Sequence, residues 1–139
     1  MKRLTVGEEY LADHFPGFPV MPGVMMLQCL VEAASWLIRL TDEYRHSVTM
    51  LREVKSIKYG NFLRPGQTMD VNVEWISHVP GAVVLKGRGE NQSSQTVAAQ
   101  FTVARYNLAD RNPSMKAQDE RLIRHWREMF ELISGRVAS

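Results

Sequence analysis

Hydrophobic and polar positions divide the 139-residue chain into stretches of different period. Residues 23–40 are apolar on almost every helical face, which predicts a helix buried nearly all round, inside a wrapped sheet or at a subunit contact. Gln28, Glu32 and Ser35 are its few polar interior positions. Residues 48–59 give a broken strand signal, followed by Gly60 and an Arg64-Pro65-Gly66-Gln67 turn. Residues 69–76 alternate cleanly, with Met69, Val71, Val73 and Trp75 on one face and Asp70, Asn72 and Glu74 on the other, so a half-buried antiparallel strand is predicted. Pro80-Gly81 marks a turn, residues 82–88 a further strand, and Asn91–Ser94 another turn. Residues 95–106 alternate again, with Val97, Ala99, Phe101 and Val103 sharing a side. After a polar loop over 107–114, Leu122, Trp126, Met129, Phe130 and Ile133 recur at helical spacing, with Ser114 as the expected cap and residues 135–139 expected to fray.

The order is loop, buried helix, antiparallel strands, amphipathic helix: an α+β arrangement in which helix 23–40 covers the apolar face of the sheet. The length suits one domain, and 45% apolar residues suffice for a core. Net charge is +2, with 17 basic and 15 acidic residues and no basic block, which argues against a nucleic-acid partner. Cys29 is the only cysteine, so no intrachain disulfide forms, and a reducing compartment fits. Met1-Lys2-Arg3-Leu4 runs into Glu8, Glu9 and Asp13 too soon for a signal peptide. No uninterrupted apolar stretch reaches membrane-spanning length, so no integral membrane segment and a cytoplasmic location are expected. His46, His78 and His125 lack metal-ligand spacing, and no metal is expected.

The run His14-Phe15-Pro16-Gly17-Phe18-Pro19-Val20-Met21-Pro22-Gly23 carries the candidate chemistry. It fixes an imidazole between Pro/Gly turns, next to the start of the apolar helix. Pro22 suits the first turn of that helix, where its missing N–H costs nothing. A helix N-terminus offers unpaired N–H groups that polarise a carbonyl as negative charge develops on it. Gly23 has no side chain to block such an approach, and His14 can then take a proton from the carbon beside the carbonyl. A purely structural histidine is the competing reading at this level.

His14-Phe15-Pro16-Gly17-x-Pro19-Val20-x-Pro22-Gly23-Val24 resembles the signature of the beta-hydroxyacyl-ACP dehydratases of bacterial fatty-acid synthesis. Val54-Lys55-x-Ile57-Lys58-Tyr59-x-Asn61-Phe62-x-Arg64-Pro65-Gly66-Gln67 resembles the same family's second strand and turn. The resemblance implies a hot-dog fold, a curved antiparallel sheet wrapped around one long central helix. One such domain would fill residues 1–139, with a core over about 5–107 and a C-terminal amphipathic helix over about 114–134. It implies a homo-oligomer, a dimer or a trimer of dimers, with active sites at the dimer interface. Its substrate would be a (3R)-3-hydroxyacyl group on the phosphopantetheine of acyl carrier protein or coenzyme A, turned over without a cofactor to a trans-2-enoyl thioester. By the same resemblance His14 is the catalytic base and the Gly23 N–H anchors the carbonyl. Phe15, Pro22, Val24, Leu27, Val31 and Phe62 are expected to contact substrate. Arg52, Lys55, Lys58 and Arg64 suit an acidic carrier or the phosphates of coenzyme A, and equally an ordinary charged strand face.

The chain departs from the family at two positions one helical turn apart. The family's catalytic glutamate, contributed by the other subunit, lies fourteen residues after the motif histidine, where this chain has Gln28. One helical turn later, where the family favours glutamine, it has Glu32. An amide cannot protonate departing hydroxide, so Gln28 is limited to orienting the hydroxyl or a water. Glu32 is then either a displaced acid or a carboxylate paired with Arg52 or Arg64. Three readings follow: a dehydratase, weakened or specialised; a hot-dog acyl thioesterase; and a non-catalytic acyl-thioester binding or partner subunit.

Overall fold

The computed structural model describes residues 3–6, 23–64, 66–92 and 94–138. The expected alternation becomes four long strands, β2 (Val48–Tyr59), β3 (Asp70–Val79), β4 (Ala82–Asn91) and β5 (Ser94–Tyr106). A strand that sequence periodicity did not mark, β1 (Arg3–Val6), lies before them and pairs with β3, Leu4 opposite Val73. All pairings are antiparallel and the sheet order is β1-β3-β4-β5-β2. The broken signal over 48–59 has a physical cause. Between β2 and β5 the register slips at Leu51/Glu53 and at Val54/Ser56, and each irregularity resets which side chains face inward.

Helix α1 (Gly23–Thr41) lies across one face of this sheet, the hot-dog arrangement that the resemblance implied. Leu30, Ala34 and Ile38 pack with Val71, Val73, Leu85 and Phe101 in one core. Burying a side chain such as Leu30 stabilises the fold by about 1.5–3 kcal/mol. Close contact with the sheet depends on Gly87 of β4. A Cβ there would stand 3.2 Å from both the Leu30 Cβ and the Phe101 ring.

Within the single chain, α1 is buried on part of its circumference rather than all round. Val24 is 66% exposed, and Gln28 and Glu32 are exposed rather than interior; of the three polar positions only Ser35 is buried. By length and composition α1 also reaches the apolarity needed to cross a membrane, its interspersed polar residues notwithstanding. More than half of that stretch is nevertheless buried inside the fold, as a core helix is. The helix ends where Glu43 and Tyr44 take left-handed backbone, φ 54° and 60°, and the Tyr44 N–H reaches the Arg39 carbonyl at 2.9 Å. Asp42 is thereby presented to Arg105 of β5, whose Nη1 lies 2.6 and 2.8 Å from the two carboxylate oxygens.

A second helix, α2 (Lys116–Ala138), follows two short 3₁₀ turns, Leu108–Asp110 and Pro113–Met115. Ser114 is not the cap. The Asn112 side chain accepts from the Ser114 N–H and hydroxyl, so chain reversal begins two residues earlier. In the first turn of α2, Asp119 is buried and accepts three hydrogen bonds, from the Ser47 hydroxyl (2.5 Å) and the Leu108 and Ala109 N–H groups (2.8 and 2.9 Å). Two turns on, the Trp126 indole N–H donates to the Ser47 carbonyl at 3.0 Å. Trp126 and Phe130 both pack on Trp36 of α1 with ring centroids 6.0 Å apart. Trp126 and Phe130 of the expected apolar stripe thus pack on α1 of their own chain.

Candidate active site

Four side chains of α1 form a polar stripe. Gln28, Glu32, Ser35 and Arg39 are spaced by four, three and four residues, which puts them on one side of a helix. That side faces away from the core and lines a groove of about 560 Å³ between α1, β2 and α2. Val31, Leu51 and Met129 give this groove apolar walls; Trp36 and Trp126 stand with Arg39 in its lining. Gln28 and Arg39 are eleven residues apart, so the stripe runs about 16 Å along the helix axis. Among the described lining residues Glu32 is the one carboxylate.

Arg39 is buried in this lining at 9% exposure. Its guanidinium carbon lies 3.7 Å from the centroid of the Trp126 ring and 4.6 Å from that of Trp36. The Nη2 donates to the Thr49 hydroxyl of β2 at 3.2 Å, and the Nε has no hydrogen-bond partner among the described residues. Burial lowers the Arg39 pKa to about 10, opposed by the negative charges of Tyr44 and Glu32. Glu32 therefore acts electrostatically on Arg39, two turns along the same stripe.

Asp119 fastens α2 beside this groove. Burial alone would raise its carboxyl, but hydrogen bonds from Ser47, Ala109 and Leu108 outweigh that and hold it below the ordinary carboxylate value.

The remaining expected site residues separate into two groups. Gln28, Val31 and Glu32 are brought together in the groove. Leu27 instead packs against the core, and Val24 and Phe62 are exposed, at 66% and 69%, outside the described groove lining. Gly23 opens α1, and the Tyr59 ring lies over it: a Cβ at this position would stand 2.7 Å from a ring carbon, so only glycine leaves room for that approach. His14, Phe15 and Pro22 lie outside the described residues. Sequence reading missed Arg39, Trp126 and Asp119. The first was signalled by the four-three-four spacing of polar residues in an otherwise apolar helix.

Residues 2–103 match the ApeI-like family, described as ApeI dehydratase. A 3-hydroxyacyl-[acyl-carrier-protein] dehydratase FabZ of Lactobacillus helveticus is 40% identical over 72 residues, covering 52% of this chain and 49% of the relative. The FabZ of Clostridium acetobutylicum is 29% identical over 101 residues, 73% of this chain and 72% of the relative. The chain thus spans about half the length of the first of these curated relatives. An apo-hexameric acyl-CoA thioesterase superposes with TM-score 0.62 at 13% identity, covering 98% of this chain and 93% of that one. The E. coli PaaI protein from the phenylacetic acid degradation operon gives 0.60 at 12%, covering 74% and 72%. At these identities the structural likeness is one of fold.

Proposed function

Because the chain belongs to the ApeI-like dehydratase family, we propose that it removes water reversibly from (3R)-3-hydroxyacyl thioesters to give trans-2-enoyl thioesters. In this reading the thioester carbonyl sits at the N-terminus of α1, where the Gly23 N–H polarises it. His14 takes the proton from C2. The electron pair of the C2–H bond becomes the second bond between C2 and C3, and the C3–O bond breaks. The departing hydroxyl needs a proton, and Glu32 supplies it, directly or through one water. Gln28, one turn before Glu32 on the same helix, holds the hydroxyl in place.

The observation that carries this assignment is the shared groove. Glu32 and Gln28 open into it together, and no other carboxylate is among its described lining residues. A carboxylate one turn on from the family's position still faces the same way, since four residues rotate a helix by about 40° and advance it about 6 Å. The substrate would be carried on the phosphopantetheine of acyl carrier protein or coenzyme A, with no further cofactor. The working form would be a cytoplasmic homo-oligomer, a dimer or trimer of dimers, filling one hot-dog domain per chain.

Crotonyl, longer enoyl and 3-hydroxyacyl thioesters offered to the purified chain test this, with water addition and thiol release followed separately. Interconversion of enoyl and hydroxyacyl forms with the thioester intact is expected. Thiol release would replace the reading with a thioesterase, and saturable binding without either reaction with a binding subunit.

A further inference from the structure

The groove beside Gln28 and Glu32 is completed by a helix that lies beyond the family match, which ends at residue 103. Trp126 and Met129 of α2 line it together with Arg39. We propose that α2 is the end wall of the acyl-chain site, and that Trp126 and Met129 set the length of chain accepted. This rests on the reading of Gln28 and Glu32 as the reactive end of the groove.

Three observations support a fixed wall rather than a loose flap. Asp119 holds the first turn of α2 through Ser47, Leu108 and Ala109. Trp126 is tied to the Ser47 carbonyl. Arg39 lies against both indoles, with its Nη2 on Thr49, so α1, β2 and α2 are joined at one point. The occupant follows from the chemistry of the walls. Val31, Leu51 and Met129 offer apolar surface continuous with the polar pair that would handle the 3-hydroxyl. The volume, about 560 Å³, falls within the range of about 300–1,000 Å³ usual for small-ligand sites. A hydrocarbon chain passing Glu32 would run toward Trp126 and stop there.

Binding of saturated straight-chain acyl-pantetheine thioesters of increasing length, measured by calorimetry on the full chain, tests this. These probes have no hydroxyl to eliminate, so the readout is independent of turnover. Each methylene entering the groove is expected to tighten binding about fourfold, until the tip meets Trp126 and the gain stops. Trp126→Ala should move that stopping length outward, and Met129→Trp should move it inward. If Trp126→Ala fails to fold, Met129→Trp and Met129→Ala carry the test from a half-buried position, expected to shift the limit in opposite directions. An unchanged limit in the folded variants, or no length dependence at all, overturns the proposal. A length limit that shifts as expected in a chain that cannot interconvert enoyl and hydroxyacyl thioesters removes the dehydratase reading alone.

Discussion

The two sides of α1 were built for different ends. The sheet side, Leu30, Ala34 and Ile38, is at most 1% exposed and contributes only hydrocarbon to the core. The groove side carries Gln28, Glu32, Ser35 and Arg39, also one helical turn apart. The apolar side holds the helix in place through area and close packing, so its substitutions register as lost stability. The polar side includes a buried cation that stability alone does not favour, since desolvating it is costly. Its arrangement makes sense as a lined groove, so its substitutions should register first in binding and turnover. The comparison teaches that an almost wholly apolar helix is best read for the few residues that break its pattern.

The sharpest break between the two sides is Glu32→Gln. Loss of a positioned general acid costs about 10²–10⁴ in rate, roughly 3–5 kcal/mol of barrier. Enoyl hydration by this variant should fall by that much while its thermal midpoint stays near that of the parent. On the opposite side, Leu30→Ala should cost about 2–5 kcal/mol of stability, measured by denaturant unfolding. Below its midpoint, turnover per folded molecule should stay near the parent value. Should Leu30→Ala instead lower turnover of the folded protein as much as Glu32→Gln does, the two sides are not separate.

Smaller effects concern the fastening of α2. Asp119→Asn leaves two backbone N–H groups and the Ser47 hydroxyl with a weaker acceptor, at a cost of about 1–3 kcal/mol. The Asp119 carboxyl lies below its ordinary value in the folded chain. Its contribution to stability is therefore fully present above the ordinary carboxylate pKa and is lost as pH falls through the lowered one. Tryptophan fluorescence during acid titration should report release of Trp126 in that window, and Asp119→Asn should lack this component. Gln28→Glu is expected to change turnover by less than about tenfold, because the acid already stands at Glu32. A rise of several orders of magnitude would show that Gln28 is a handicap and that Glu32 is not the acid.

Much of the fold was legible from period alone. Strands β3 and β5 each bury one face over most of their alternating stretches, and Val71, Val73, Val97 and Phe101 are buried as their alternation requires. Strand β2 was harder because two register slips break its period. Strand β1 is four residues long, too short for a period to show. The cap at Asn112 rather than Ser114 shows the usual shift of an element boundary by a residue or two. The site was legible in part. Gln28, Val31 and Glu32 could be named from the helix, but no local pattern signals that Arg39 lies against both Trp36 and Trp126, an indole from a distant helix. Leu27, partly buried against the core, could not be given a face from sequence because all faces of α1 look alike where no polar residue marks them.

Oxygen-18-labelled water is the most direct probe of the central claim that this groove carries acid–base chemistry at C2 and C3 of an acyl thioester. Crotonyl thioester incubated with the chain in labelled water is predicted to yield 3-hydroxybutyryl thioester with the label on the C3 hydroxyl and the thioester bond whole. Label appearing in a free carboxylate, with the C3 position unlabelled, would contradict it.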